Sequence, residues 1–86
     1  MAIALLHHIN RQQNMARFYR IEVLQDLFGM VTLERSWGRI GSRGQRLMLS
    51  YPSMTSAEHE LLRLLQVKRK RGYTEITAKP RDFGSD

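Results

Sequence analysis

The sequence predicts an α+β fold: one antiparallel β-sheet meander of four to five strands with a single amphipathic helix packed on one face. Three observations carry that expectation. Four stretches, residues 3–9, 17–25, 30–37 and 45–51, alternate side chains with the two-residue period of a strand. The segments between them are short and carry Asn, Asp and Gly, which turn the chain back between consecutive antiparallel strands. After Pro52 the period changes to three and four residues, the spacing of a helix with one apolar face.

In the first stretch Ile3, Leu5 and His7 alternate with Ala4, Leu6 and His8, and the polar run Asn10 to Met15 reads as a connecting loop. The second is the clearest strand, with Tyr19, Ile21 and Val23 set against Arg20 and Glu22. Gln25 to Gly29 supplies a turn, in which Phe28 is expected to cap the core. Val31, Leu33, Arg35 and Trp37 share one face of the third strand, and Leu47, Leu49 and Tyr51 share one face of the fourth. Between these two strands lie Gly38, Gly41 and Gly44, a glycine-rich and cationic hairpin tip.

Thr55 and Glu58 have the spacing of a capping box, with Ser53 as the alternative cap. Ala57, Leu61, Leu62, Leu64 and Leu65 then mark a helix of about four turns. It is expected to end near Arg71, with Gly72 as the left-handed terminator. Tyr73 to Thr77 alternates briefly and can add a last strand. The domain is placed at residues 1–78, and 79–86, with Pro80 and Gly84, reads as a flexible C-terminal tail.

Eighty-six residues suffice for one modest core and not for two. A hydrophobic content of 42% with 26% charged residues is that of a soluble globular chain. No apolar run approaches the roughly 18–20 residues of a membrane span, and the short apolar start, without a basic leader, does not read as a signal peptide. A cytoplasmic protein is the default expectation. There is no cysteine, which removes disulfides, thiolate metal sites and cysteine nucleophiles together.

Candidate catalytic groups are few. His7 and His8 are neighbours on a strand and point to opposite faces, while His59 sits by itself on the helix. No metal-ligand spacing, nucleophile motif or phosphate-loop pattern is present. The expectation is a protein that is not an enzyme and holds neither metal nor cofactor. Charge is more informative. The net charge is +6, and eleven of the fourteen cations are Arg, the better fork for phosphate oxygens. Trp37 can be a core ring or a contact surface. The tract Lys68-Arg69-Lys70-Arg71 can offset the helix dipole or meet a polyanion.

The run Trp37-Gly38-Arg39, followed by Gly41 and Gly44-Gln45, resembles the signature of the WGR domain, a module of DNA-dependent poly(ADP-ribose) polymerases and of short stand-alone bacterial proteins. Arg17 to Val23 upstream and Lys70-Arg71-Gly72-Tyr73 downstream agree in order and spacing, so the resemblance covers roughly residues 3 to 77. It implies a non-catalytic surface that meets the terminal nucleotide of a DNA break near its 5′ phosphate. Trp37 would pack on the sugar or base face and Arg39 would lie close to the end. Tyr73 would donate its hydroxyl to phosphate. Gly38 and Arg43 belong to the loop whose amides and guanidinium forks can cradle phosphate oxygens. Arg35, on the strand face of Trp37, and Asn14, Arg17, Lys70 and Arg71 complete the candidate set. The expected partner is nucleic acid, DNA more than RNA, bound by a monomer without base specificity. The alternative is a protein–protein interaction module that docks on a separately encoded partner through Trp37 and Arg39.

Overall fold

The computed structural model describes residues 2–76. Five strands and one helix follow one another as β1 (Ala2–Asn10), β2 (Met15–Gln25), β3 (Val31–Arg39), β4 (Gln45–Tyr51), α1 (Met54–Lys70) and β5 (Thr74–Glu75). The sheet order is β4-β3-β2-β1-β5, and every pairing is antiparallel. The first four strands form the expected meander. The helix packs on one sheet face against β2, β3 and β4, and β5 then pairs with β1 at Leu6 and His7. Thr77 and the segment 79–86 lie outside the described residues.

The core is a single layer between sheet and helix. From the sheet it takes Ala4, Leu6, Tyr19, Ile21, Val23, Val31 and Leu33; from α1 it takes Ala57, Leu61, Leu64 and Leu65. These sheet residues are the even positions of β1 and the odd positions of β2 and β3, which the antiparallel register brings to one face.

Three details differ from the sequence reading. The helix is capped by Ser53, not by Thr55: extended at φ −152°, its Oγ accepts the Ser56 amide at 3.1 Å, and Ser56 Oγ reciprocates on the Ser53 amide. The capping box therefore forms two residues earlier, on the alternative cap that the sequence offered, with Ser in place of Glu at the third position. Leu62 is 57% exposed. It follows Leu61 by one residue, a rotation of about 100° that carries it off the buried face already filled by Leu61, Leu64 and Leu65.

Phe28 is 90% exposed and caps nothing. The turn is built on Asp26, whose carboxylate accepts the amides of Phe28 and Met30 at 2.9 Å each. Satisfying those amides turns the Leu27 and Phe28 side chains outward. By contrast, Gly72 at φ +100° ends the helix as expected, and a side chain there would press on the His8 ring at 3.0 Å.

Truncating Leu33, which is fully buried, should cost about 2–5 kcal/mol of unfolding free energy as Leu33→Ala. Leu62→Ala should stay within about 0.5 kcal/mol of the parent. Urea unfolding of the two variants checks the assignment, and similar losses would contradict this packing.

Candidate nucleic-acid interface

The strand face that α1 covers is longer than the core. Beyond Ile21 and Leu33 the β2 and β3 rows continue as Tyr19 and Arg17, and as Arg35, Trp37 and Arg39, with Tyr19 opposite Trp37 and Ile21 opposite Arg35. Here the last turn of α1 lies over the sheet only through Lys68, and the surface opens into a cleft of about 570 Å³. Arg17, Tyr19, Arg35, Trp37, Arg39, Lys68 and Tyr73 line it, together with Gly38 and the loop around Asn14.

Aromatic rings and cations alternate across this cleft. The Lys68 ammonium stands 4.4 Å from the centre of the Tyr19 ring and 5.5 Å from that of Tyr73. The two tyrosines meet edge to face with centroids 6.3 Å apart, and His8 backs Tyr73 at 5.2 Å. The Arg35 guanidinium lies 5.9 Å from the Trp37 ring centre, and its Nη1 donates a long 3.5 Å hydrogen bond to the Tyr19 hydroxyl. Its Nε is buried without a partner. Trp37 itself is half-buried: it packs against the core and also lines the cleft.

The ion pairs leave this region unneutralised. Arg20 pairs with Glu22, Arg46 with Glu34, Arg63 with Glu60 and Arg69 with Glu75. Among the described residues no carboxylate forms a salt bridge to Arg17, Arg35, Arg39 or Lys68. Partial burial holds the Lys68 ammonium below its ordinary pKa, and the neighbouring charges of Arg71, Arg35 and Arg17 lower it further. Burial raises the Tyr19 hydroxyl above its usual value, opposed by Arg35. Glu60, paired with Arg63, is near enough to act on Arg35 and Tyr19, but the cleft cations themselves hold no salt-bridged acid and leave room for a bound anion.

Arg39 is tied down. Its guanidinium donates to the backbone oxygen of Asn14 at 3.1 Å and to Asn14 Oδ1 at 3.3 Å, reaching 25 residues back in the chain. Asn14 accepts this in a left-handed conformation, φ 52°, after a turn of 3-10 helix capped by Asn10. The clamp fixes the β1–β2 loop as one wall of the cleft. The same end of β3 is also shaped by glycine. A side chain at Gly44, φ +71°, would meet the Trp37 carbonyl oxygen at 2.1 Å, and one at Gly38 would meet the Gly44 Cα at 2.7 Å. The two glycines let the hairpin tip fold back directly against the Trp37 backbone.

Of the residues selected from sequence, Asn14, Arg17, Arg35, Trp37, Gly38, Arg39 and Tyr73 come together here. Arg43 does not: with Gly44 and Arg46 it borders a shallow hollow by Arg20, Glu34 and Ser36, on the other face of the sheet. Lys70 and Arg71 are exposed at the helix end and do not line the cleft. Sequence reasoning marked Lys68 only as part of the basic tract, selecting Lys70 and Arg71 from it, and did not select Tyr19. The signal for Lys68 was its position: it continues the Ala57, Leu61, Leu64 and Leu65 row at helical spacing, so it is the member of the basic tract turned toward the sheet. Among the described residues no cluster of His, Asp or Glu could hold a metal ion, and no helix is long and apolar enough to cross a membrane.

A family model described as the WGR domain matches residues 3–80. The chain is also 36% identical over 77 residues to an uncharacterized protein, y4dW, of Sinorhizobium fredii (strain NBRC 101917 / NGR234). The match covers 90% of this chain and 38% of that relative, so the chain spans about two fifths of the relative's length.

Burial is the main cause of the low Lys68 pKa and the neighbouring arginines the lesser one; an anion entering the cleft should offset the cations and raise that pKa. Nuclear magnetic resonance titration of the lysine side chains should therefore show Lys68 deprotonating below an ordinary lysine in the free protein. With a short phosphorylated oligonucleotide its titration should move to higher pH. No movement on saturation would mean that the anion binds elsewhere.

Proposed function

The chain belongs to the WGR domain family, and from that premise we propose that it is a non-catalytic module that binds nucleic acid. Its ligand in this reading is DNA rather than RNA, held at ends or nicks through the phosphate backbone. The observation that carries this reading is the convergence of Arg17, Arg35 and Lys68, none of them salt-bridged among the described residues, beside the Trp37 and Tyr73 rings. A phosphodiester chain supplies the charge those cations lack. The exposed part of the Trp37 ring offers a flat face to a terminal sugar or base.

The cleft has a wall on the Asn14 side, where the Arg39 clamp holds the loop in place. The groups on offer in the cleft are guanidinium, ammonium and hydroxyl donors suited to phosphate oxygens, which supports backbone contact without base reading. Lys70 and Arg71, outside the cleft, add a general attraction to the backbone.

A second reading rests on the composition of the cleft rim. Trp37, Tyr73 and Arg39 are the residue types that dominate protein interaction hot spots, and a docking peptide could seat its anchor there. Salt separates the two readings. If the cleft cations neutralise about four phosphates, log affinity should fall against log salt with a slope of about −3 to −4.

Matched DNA hairpins, with a free 5′-phosphorylated end, with a free unphosphorylated end, or closed as a dumbbell, provide the test, with Trp37 fluorescence as the reporter. The phosphorylated end should bind most tightly and quench the fluorescence. Trp37→Ala should weaken binding to ends more than to the dumbbell, while Lys70→Ala should weaken both evenly. Equal, weak binding to all three with unchanged fluorescence would sink the nucleic-acid reading and favour the protein partner.

A further inference from the structure

Among the described residues, the strand at one margin of the sheet has no neighbour on its outer side. β4 is outermost in the order β4-β3-β2-β1-β5, and its outer row of backbone N–H and C=O groups faces away from β3. The opposite margin is shortened by β5, which covers β1 at Leu6 and His7. On β4 the side chains are apolar where an edge usually carries charge: Leu47 is 39% exposed, Met48 56% and Leu49 41%. No proline or lysine interrupts the seven residues, and the one charge, Arg46, is drawn back onto β3 by Glu34 at 3.1 Å.

The strand is also close to symmetric about its centre. Outward from Met48 each direction meets a leucine, then a polar residue, Arg46 or Ser50, then Gln45 or Tyr51. We propose that β4 pairs antiparallel with β4 of a second copy of this chain, with the two-fold axis at Met48, joining two five-stranded sheets into one.

In that register Met48 faces its own copy, Leu47 faces Leu49 of the other chain, and Arg46 faces Ser50. All seven residues are paired and no like charges are opposed. A shift by one residue would set helix-side leucines against side chains of the open face. A shift by two would leave two residues of each strand unpaired. The leucines of the two chains extend the apolar row that runs from Leu33 to Leu49, on the face that carries α1. No residue of β4 lines the cleft, so both clefts of the dimer stay open. This pairing departs from the monomer expected from sequence, and it stands without the nucleic-acid reading.

The chain lacks cysteine, so a single introduced thiol can cross-link only to itself. Residues directly opposite on antiparallel strands have Cα atoms about 4.5–5.5 Å apart, within reach of a disulfide. In the proposed register two copies of residue 50 are offset by four residues, roughly 13 Å. Without nucleic acid, the unaltered chain should sediment as a dimer, and Met48→Lys as a monomer with unchanged circular dichroism. Under mild oxidation Met48→Cys should form a disulfide dimer about tenfold or more faster than Ser50→Cys. An unaltered chain that stays monomeric at about 1 mM overturns the proposal. So does a Met48→Lys dimer, or equal cross-linking by the two thiols. Capture of an extended peptide along β4 by a monomer would assign the edge to a different occupant and overturn it as well.

Discussion

The pairing of β2 with β3 governs the rest of this molecule. It sets Val23 against Leu33, Ile21 against Arg35 and Tyr19 against Trp37, so that one continuous row begins as core and ends as cleft. A slip by one residue would send all of these side chains to the opposite face, removing core and cleft together. Because side chains change character along the row while the backbone stays regular, the cleft is built on a rigid strand pair. The helix then divides the row by where it stops. Leu61, Leu64 and Leu65 seal the apolar half, and Lys68 stands over the tyrosine where the sealing ends.

The electrostatics of the cleft follow from how the acids are distributed. Each of Glu22, Glu34, Glu60 and Glu75 is engaged by an arginine elsewhere on the surface. Such exposed pairs contribute little to stability. Their consequence is spatial: these carboxylates already have arginine partners, and none of them forms a salt bridge to Arg17, Arg35, Arg39 or Lys68. Burial first, and then the nearby charges of Arg71, Arg35 and Arg17, disfavour the charged form of Lys68 in the free protein. Sites that bind are often stabilised less well than they could be, because their best partner is absent until the ligand arrives. The buried, unpartnered Arg35 Nε belongs to the same pattern.

Much of this was legible in the chain itself. Period-two alternation placed four strands, and the change of period after Pro52 placed the helix, because each periodicity reflects one buried face. The Asp26 turn and the Gly72 terminator followed from local chemistry that needs no distant partner. The errors also share a cause. Phe28 and Leu62 are large and apolar, which is a reason to be buried, yet burial requires a partner surface in the right direction. The Asp26 turn points Phe28 away, and the one-residue offset from Leu61 points Leu62 away.

For the site, composition marked out the basic and aromatic residues, and the sequence alone could determine which of them share a strand face: Arg35 with Trp37, and both apart from Ser36. Only the tertiary structure decided which cations meet. Four consecutive basic residues at the end of α1 look equivalent in sequence, but the helix turns about 100° per residue. Lys68 therefore enters the cleft, Arg69 pairs with Glu75, and Lys70 and Arg71 remain in solvent. Likewise Arg39 and Asn14 are joined across 25 positions of chain, and Arg43 is carried to the other face by a hairpin tip folded against Trp37. Local spacing fixes the face on which a residue stands; which residues stand together there depends on how distant segments pack.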